Sequence, residues 1–313
     1  MHPIMNRRTV LMATALGAST TLLQACGGGD DEPQRNIVEI AQSNPDLSIL
    51  VEAVVAAGLT QTLSTGSLTV FAPTNAAFAA LLTELGVTKE ALLANKTLLT
   101  AVLSYHVLGS KVNRADVPVG KAITPLSGGF FKIEATGGLK VTDGRNRIAN
   151  ITATDIQASN GVVHLLDRVL LPADKDIVAT ASALPDFSIL VEAVVAAGLV
   201  PTLQGKGPFT VFAPTNAAFA ALLAELGVTK QALLANTALL TSVLTYHVVP
   251  ARVLKAEVPL NTAITTVQGQ TFTVNANLAI TDQRGRVSNI VTADVFTSNG
   301  VIHVVDKVIL PRA

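Results

Sequence analysis

Tryptophan is absent from this 313-residue sequence, and aromatic residues make up only 4% of it. A stacking platform for sugars or bases therefore has little to be built from. Cysteine occurs once, at Cys26, so no intramolecular disulfide can form, and an exported chain of this kind must rely on its core. Charge is scarce as well: 14% of residues are charged, with 22 basic against 22 acidic. That balance offers no basic surplus for nucleic acid and no acidic tail. Neither an HExxH pair nor paired cysteines occur for zinc. No phosphate-cradling glycine loop is present either, since Gly27-Gly28-Gly29 belongs to a tether. What the chain does have is apolar material: 49% is hydrophobic, mostly Ala, Val and Leu, enough for substantial cores.

The N-terminus reads as an address. Arg7 and Arg8 precede an apolar run from Val10 to Leu23, which is too short and too poorly flanked for a membrane span. Leu23-Gln24-Ala25-Cys26 resembles a bacterial lipobox, and Asn6 to Met12 resembles a twin-arginine signal while departing from it at Asn6 and Met12. The expectation is a signal peptide over 1–25, lipidation at Cys26, and a flexible tether over 26–35. Gly27 after the cysteine favours the outer membrane.

Beyond the tether the chain is written twice. Thr69 to Leu82, TVFAPTNAAFAALL, returns letter for letter at Thr210 to Leu223. SILVEAVVAAGL, Tyr105-His106 and Ser159-Asn160-Gly161-Val162 also return, at offsets of 139 to 141. A period this long exceeds the roughly 20–50 residues of a solenoid, so each copy should carry its own core. The expected domains are 36–172 and 175–313, joined so briefly that they should touch.

Within a copy, Thr69-Val70-Phe71 predicts a short buried strand, ended by Pro73. Asn75 sits where an N-cap belongs, and Phe78, Leu81, Leu82 and Leu85 follow the helical period. Asp46 is placed to cap an earlier helix and Gly58 to end it. After Tyr105 the apolar residues fall at short spacing among turn signals at Asp143-Gly144 and Asn160-Gly161, and Val162 to Leu171 predicts a strand covered on both faces. Helices come first and strands after: an α+β fold.

These segments resemble the fasciclin-like domain of the beta-Ig-H3/fasciclin type. TVFAPTNAAF matches its first signature, Gly161 to Pro172 its second, and Tyr105-His106 the pair between them; Thr210 to Phe219, Gly300 to Pro311 and Tyr246-His247 repeat all three. The resemblance implies two tandem domains, each a wedge-like β-sandwich with N-terminal helices packed around it. It also implies adhesion between cells, or between cell and matrix, through protein or polysaccharide partners. No Arg-Gly-Asp integrin motif is present.

Polar landmarks admit a chemical reading as well. His106, His164, His247 and His303 form a matched pair per copy, but a zinc site needs more ligands, so half-buried histidines bonded to backbone or Asn/Asp partners are expected, with no metal and no cofactor. Ser159, His164 and Asp167 supply the letters of a hydrolase triad. On an extended strand His164 and Asp167 point to opposite faces, so Asp167, and Asp306 in the second copy, should satisfy backbone or turn donors. Asn75 and Asn216 are expected as caps, and Tyr105 and Tyr246 as architectural landmarks. The expected function is non-enzymatic adhesion or matrix binding by a lipid-anchored protein of the outer membrane, periplasmic or surface-exposed. Two other classes stay open: an envelope carrier of a small apolar ligand, and a hydrolase of envelope polymer.

Overall fold

Pro73 ends a strand buried along its whole length, and Thr74 caps the helix that follows; each repeat is arranged around this step. The computed structural model describes residues 34–312, so the expected leader and Cys26 lie outside the described residues. The first repeat runs α1 (Ile37–Ser43), α2 (Ser48–Ala57), α3 (Thr60–Ser64), β1 (Leu68–Pro73), α4 (Asn75–Leu85), α5 (Lys89–Ala94) and α6 (Lys96–Tyr105). Strands then dominate: β2 (Val107–Leu108), β3 (Ala122–Ile123), β4 (Phe131–Glu134), β5 (Lys140–Thr142), β6 (Ile148–Ala158) and β7 (Gly161–Leu166). The second repeat follows the same order with α7 (Ile177–Ser182), α8 (Ser188–Ala196), α9 (Val200–Leu203), β8 (Phe209–Pro214), α10 (Asn216–Leu226), α11 (Lys230–Ala235) and α12 (Thr237–Tyr246). Its strands are β9 (Val248–Val249), β10 (Ile264–Thr265), β11 (Thr271–Val274), β12 (Ala279–Thr281), β13 (Val287–Thr297) and β14 (Gly300–Val305).

Each repeat is α+β, with one seven-stranded sheet in the order β2-β1-β7-β6-β5-β4-β3. β1 pairs parallel with β7, which explains why both are buried on both faces. Val70 and Ala72 face the helices and pack with Phe78, Leu81 and Leu99, while Phe71 points the other way. On that second face Phe71, Leu108, Ile123, Phe131, Val141, Ala149 and Leu166 meet, one from each of the seven strands. A single sheet can do this only by curling until its ends face one another. Phe71 and Phe131 stack edge-on at 5.4 Å, as do Phe212 and Phe272 at 5.0 Å.

Local signals were displaced by one residue or redirected in four places. Thr74, not Asn75, caps α4: its side chain accepts from the Ala77 amide, and Asn75 is already helical at N1. From N1 a side chain cannot reach its own helix's first free amides, so Asn75 reaches α2 instead: Oδ1 accepts from Ile49 N–H, and Nδ2 donates to Pro45 O and Ser48 Oγ. Asn216 repeats this on α8 through Ile189 N–H, Pro185 O and Ser188 Oγ. Asp46 caps nothing; it lies in a 3-10 turn that Asn44 caps. Gly58 does end α2, at φ 72°. The hairpin turn falls on Ser159 and Asn160, and Gly161 is already the first residue of β7. The long apolar run stops being strand at Leu166, because Leu170 and Leu171 give their amides to side chains rather than to a ladder.

The repeats dock directly. Phe130 stacks on Phe296 at 4.7 Å within a cluster completed by Leu254 and Val301. Asn146 grips Phe296 at both backbone groups: Oδ1 accepts from its N–H at 2.6 Å, and Nδ2 donates to its carbonyl at 3.1 Å. The linker is held too, since Gly144 lies so close to Pro172 and Ala173 that a Cβ there would overlap their backbone.

A histidine-braced frame and a cleft between the repeats

His106 follows α6 and is buried against the chain end of its own repeat. Its Nδ1–H donates to Val102 O at 2.7 Å, and Nε2 accepts from Leu170 N–H at 2.8 Å. His164, inside β7, donates from Nε2–H to Val112 O at 3.0 Å and accepts at Nδ1 from Asp155 N–H at 3.2 Å. The partners fix these roles, because a carbonyl only accepts and an amide only donates. His247 repeats the first arrangement with Val243 O and Ile309 N–H, and His303 the second with Val253 O and Asp294 N–H. All four rings are buried outright, not half-buried as expected, and their partners are all backbone groups, one of the two kinds expected. Burial lowers His106 and His247 to about 4, and lowers His303 as well.

Tyr105 closes α6, and its hydroxyl donates to Phe130 O; Tyr246 donates to Thr271 O at 2.7 Å and accepts from Gln283 N–H at 3.2 Å. Burial raises both phenols, Tyr246 to about 12. Asp167 accepts from Asn150 N–H and Nδ2 at 2.7 and 2.6 Å. Asp306 does the same for Asn289 at 2.7 and 2.8 Å. Burial pushes the Asp306 carboxyl up, but the Asn289 and Ser288 donors outweigh it and hold the group below the ordinary carboxylate range.

The letters of a hydrolase triad are therefore not brought together: His164 has both ring nitrogens on backbone, Asp167 is held by Asn150, and Ser159 is exposed in its turn. Among the described residues no group of three or more His, Cys, Asp and Glu is disposed to hold a metal, and no helix is long and apolar enough to cross a membrane. Matched apolar slots lie between helices and sheet, about 70 Å³ beside His247 and about 30 Å³ beside His106. Each is well below the roughly 150 Å³ that admits a benzene-sized guest, so neither holds a lipid as it stands.

Three functional placements escaped the reading of the sequence. Buried Asp143 organises the β5–β6 turn: Oδ1 accepts from Arg145 N–H and Arg147 N–H, while Oδ2 accepts from Leu171 N–H and the Arg147 guanidinium. The signal was there, as Asp143-x-Arg145-x-Arg147 returns as Asp282-x-Arg284-x-Arg286. Asn160 ties the hairpin to the helices, accepting from Ile37 N–H and donating to Leu63 O. The third is a cleft of about 780 Å³ between the repeats, with Lys132, Arg145, Asp174 and Asp294 in its walls. Residues so far apart in sequence give no local sign of meeting.

The fasciclin domain family matches this chain twice, over residues 45–172 and 185–311. Transforming growth factor-beta-induced protein ig-h3 of Sus scrofa is 29% identical over 79% of this chain, and the alignment spans 35% of that relative, so the chain corresponds to about a third of it. Protein sll1483 of Synechocystis is 46% identical over 43% of this chain and 73% of its own length, and immunogenic protein MPB70 of Mycobacterium bovis is 36% identical over 44% and 70%. A solved FAS1 domain pair from the insect cell adhesion molecule fasciclin I aligns over 85% of this chain and 97% of that one, at 17% identity and a TM-score of 0.43, too distant to bear on function. With the signature segments, the curled sheet and the helical layer present in both halves, the chain belongs to the fasciclin domain family and carries two copies of the domain in tandem.

Proposed function

We propose that this protein is a non-enzymatic adhesion and matrix-binding lipoprotein. A leader over 1–25 would export it, lipidation at Cys26 and a tether over 26–35 would hold it at the bacterial outer membrane, and domains at 36–172 and 175–313 would engage a cell-surface or matrix protein or polysaccharide. One observation carries the reading. His106, His164, His247, His303, Asp143, Asp167 and Asp306 are bonded to the backbone that shapes the fold, whereas a catalytic group must be able to meet a substrate. Tandem domains add multivalency, since two weak sites on one body act at high effective concentration.

Residues 36–313, immobilised and challenged with envelope and exopolysaccharide fractions, should retain a specific component. Turnover of envelope polymer by the same preparation would replace adhesion with hydrolysis. For the anchor, Cys26→Ser in the full chain should yield an unlipidated, soluble precursor; unchanged membrane fractionation would remove lipidation from the picture.

A further inference from the structure

The interdomain cleft contains an arginine, Arg145, whose Nε the fold leaves unused. Among the described residues, Arg145 Nε is the single buried side-chain nitrogen or oxygen without a hydrogen-bond partner. The equivalent arginine of the second repeat, Arg284, has no such vacancy: its Nε donates to Pro311 O at 2.9 Å. In the first repeat the guanidinium instead meets Asp174 of the linker through Nη2 alone, at 2.9 Å. That carboxylate is 51% exposed and contacts one corner of a fork that takes a carboxylate best with two parallel bonds. A pair of this kind is weak and replaceable.

The surroundings narrow the class of ligand. Lys132 and Arg147 in the lining are held in ion pairs, so Lys175 joins Arg145 as the cation left to a ligand; Thr142 and Thr180 supply hydroxyls, and Ile148 offers a small apolar shelf, being 55% exposed. β4, β5 and the start of β6 line one side, and β5 is paired along both of its edges. A volume of about 780 Å³ suits a short oligomer rather than a single ion. Recognition by ion pairs and hydroxyl hydrogen bonds, without a stacking ring, also accords with a sequence that lacks tryptophan.

We infer that this cleft binds an acidic oligosaccharide, with a uronic acid carboxylate seated on the Nε–Nη2 edge of Arg145 in place of Asp174. The inference rests on the adhesion reading and names its ligand class. The test titrates residues 36–313 with oligouronates by calorimetry, with a neutral glucan and a peptide bearing a free or amidated C-terminus as comparison arms. Arg145→Gln should weaken uronate binding about tenfold, the effect of losing one charge-assisted bidentate contact. Asp174→Ala should tighten it several-fold, because the internal competitor is gone; a purely structural Asp174 would give no gain. Equal uronate affinity in wild type and Arg145→Gln, or binding only of the peptide with a free C-terminus, overturns the assignment. If Arg145→Gln still retains its envelope component in the pull-down, the cleft is wrong and adhesion stands; if wild type retains nothing, adhesion itself fails.

Discussion

Lys132 Nζ lies 2.8 Å from Asp294 Oδ2 across the boundary between the repeats, with Glu134 2.7 Å away on its other side. Asp294 is presented at a bulge of β13 with φ 61°, where its amide donates to His303 and its second oxygen accepts from Lys255 N–H. The first repeat has the same bulge, at Asp155 with φ 59°, and the same brace from His164. Around that bulge, however, Phe296 is replaced by Gln157 and Leu254 by Asn113, which bond to each other. On the other face, Phe130, Lys132 and Asn146 are replaced in the second repeat by Thr271, Thr273 and Gly285. A head-to-tail contact between copies would otherwise propagate into an open filament. Here each copy keeps half of the contact, and association stops at two.

It follows that making the second repeat resemble the first should uncouple them. Phe296→Gln removes the ring beneath Phe130 and should weaken docking by about 3 kcal/mol, as large-to-small changes at buried aromatics do. Scattering should report a larger radius of gyration, and calorimetry should resolve two transitions in the variant and one in the wild type. An unchanged radius would mean that the Lys132–Asp294 pair, the Asn146 bonds to the backbone of residue 296 and the linker hold the repeats without the ring.

Asn75 and Thr74 can be separated by their partners. Thr74→Ala loses one capping bond and should cost about 1 kcal/mol. Asn75→Ala loses three bonds that join α4 to α2 and the 3-10 turn before it, and should cost about 2 kcal/mol. Thermal unfolding of both variants gives the order; a smaller effect at Asn75 would place the joint elsewhere.

Much of this was legible in the letters. β1, the proline stop, the periodic face of α4 at Phe78, Leu81 and Leu82, and the duplication all rest on neighbours in sequence and appear, although Leu85, the fourth residue of that face, is exposed. Two of the redirected signals share a cause: the partner was distant. Asn75 turned from a cap into a bridge because Ile49 lies 26 residues away, and the run after Leu166 left the strand because His106 and Asp143 took its amides. The cleft was least legible, since its walls come from both repeats and the linker.

Asp143 should prove among the least replaceable polar residues. Asp143→Ala leaves the Arg147 guanidinium without its buried partner and frees the Leu171 amide. Breaking one side of a buried pair costs about 3–5 kcal/mol. Urea denaturation measures it directly, and a loss below about 1 kcal/mol would show that Glu84, the other partner of Arg147, suffices.

Acid should loosen the fold through the histidines. His106 and His247 are held near 4 in the folded state against an ordinary 6.5, chiefly by burial, and their Nε2 atoms accept from Leu170 and Ile309 amides, which a protonated ring could not do. Between these values the unfolded chain binds protons that the folded chain refuses. Stability is therefore full above about pH 6.5 and falls as pH drops toward 4, by up to about 3 kcal/mol for each ring. The urea midpoint should hold steady from pH 8 to 7 and decline steadily from 6.5 to 4.5. Carboxylates titrate at the lower end of that range, so the slope in one variant isolates the effect. His247→Gln keeps a donor and an acceptor but cannot take a proton, and it should flatten the decline by about one proton between pH 6 and 5. An identical slope in wild type and variant would mean that the imidazole protonates without leaving its place.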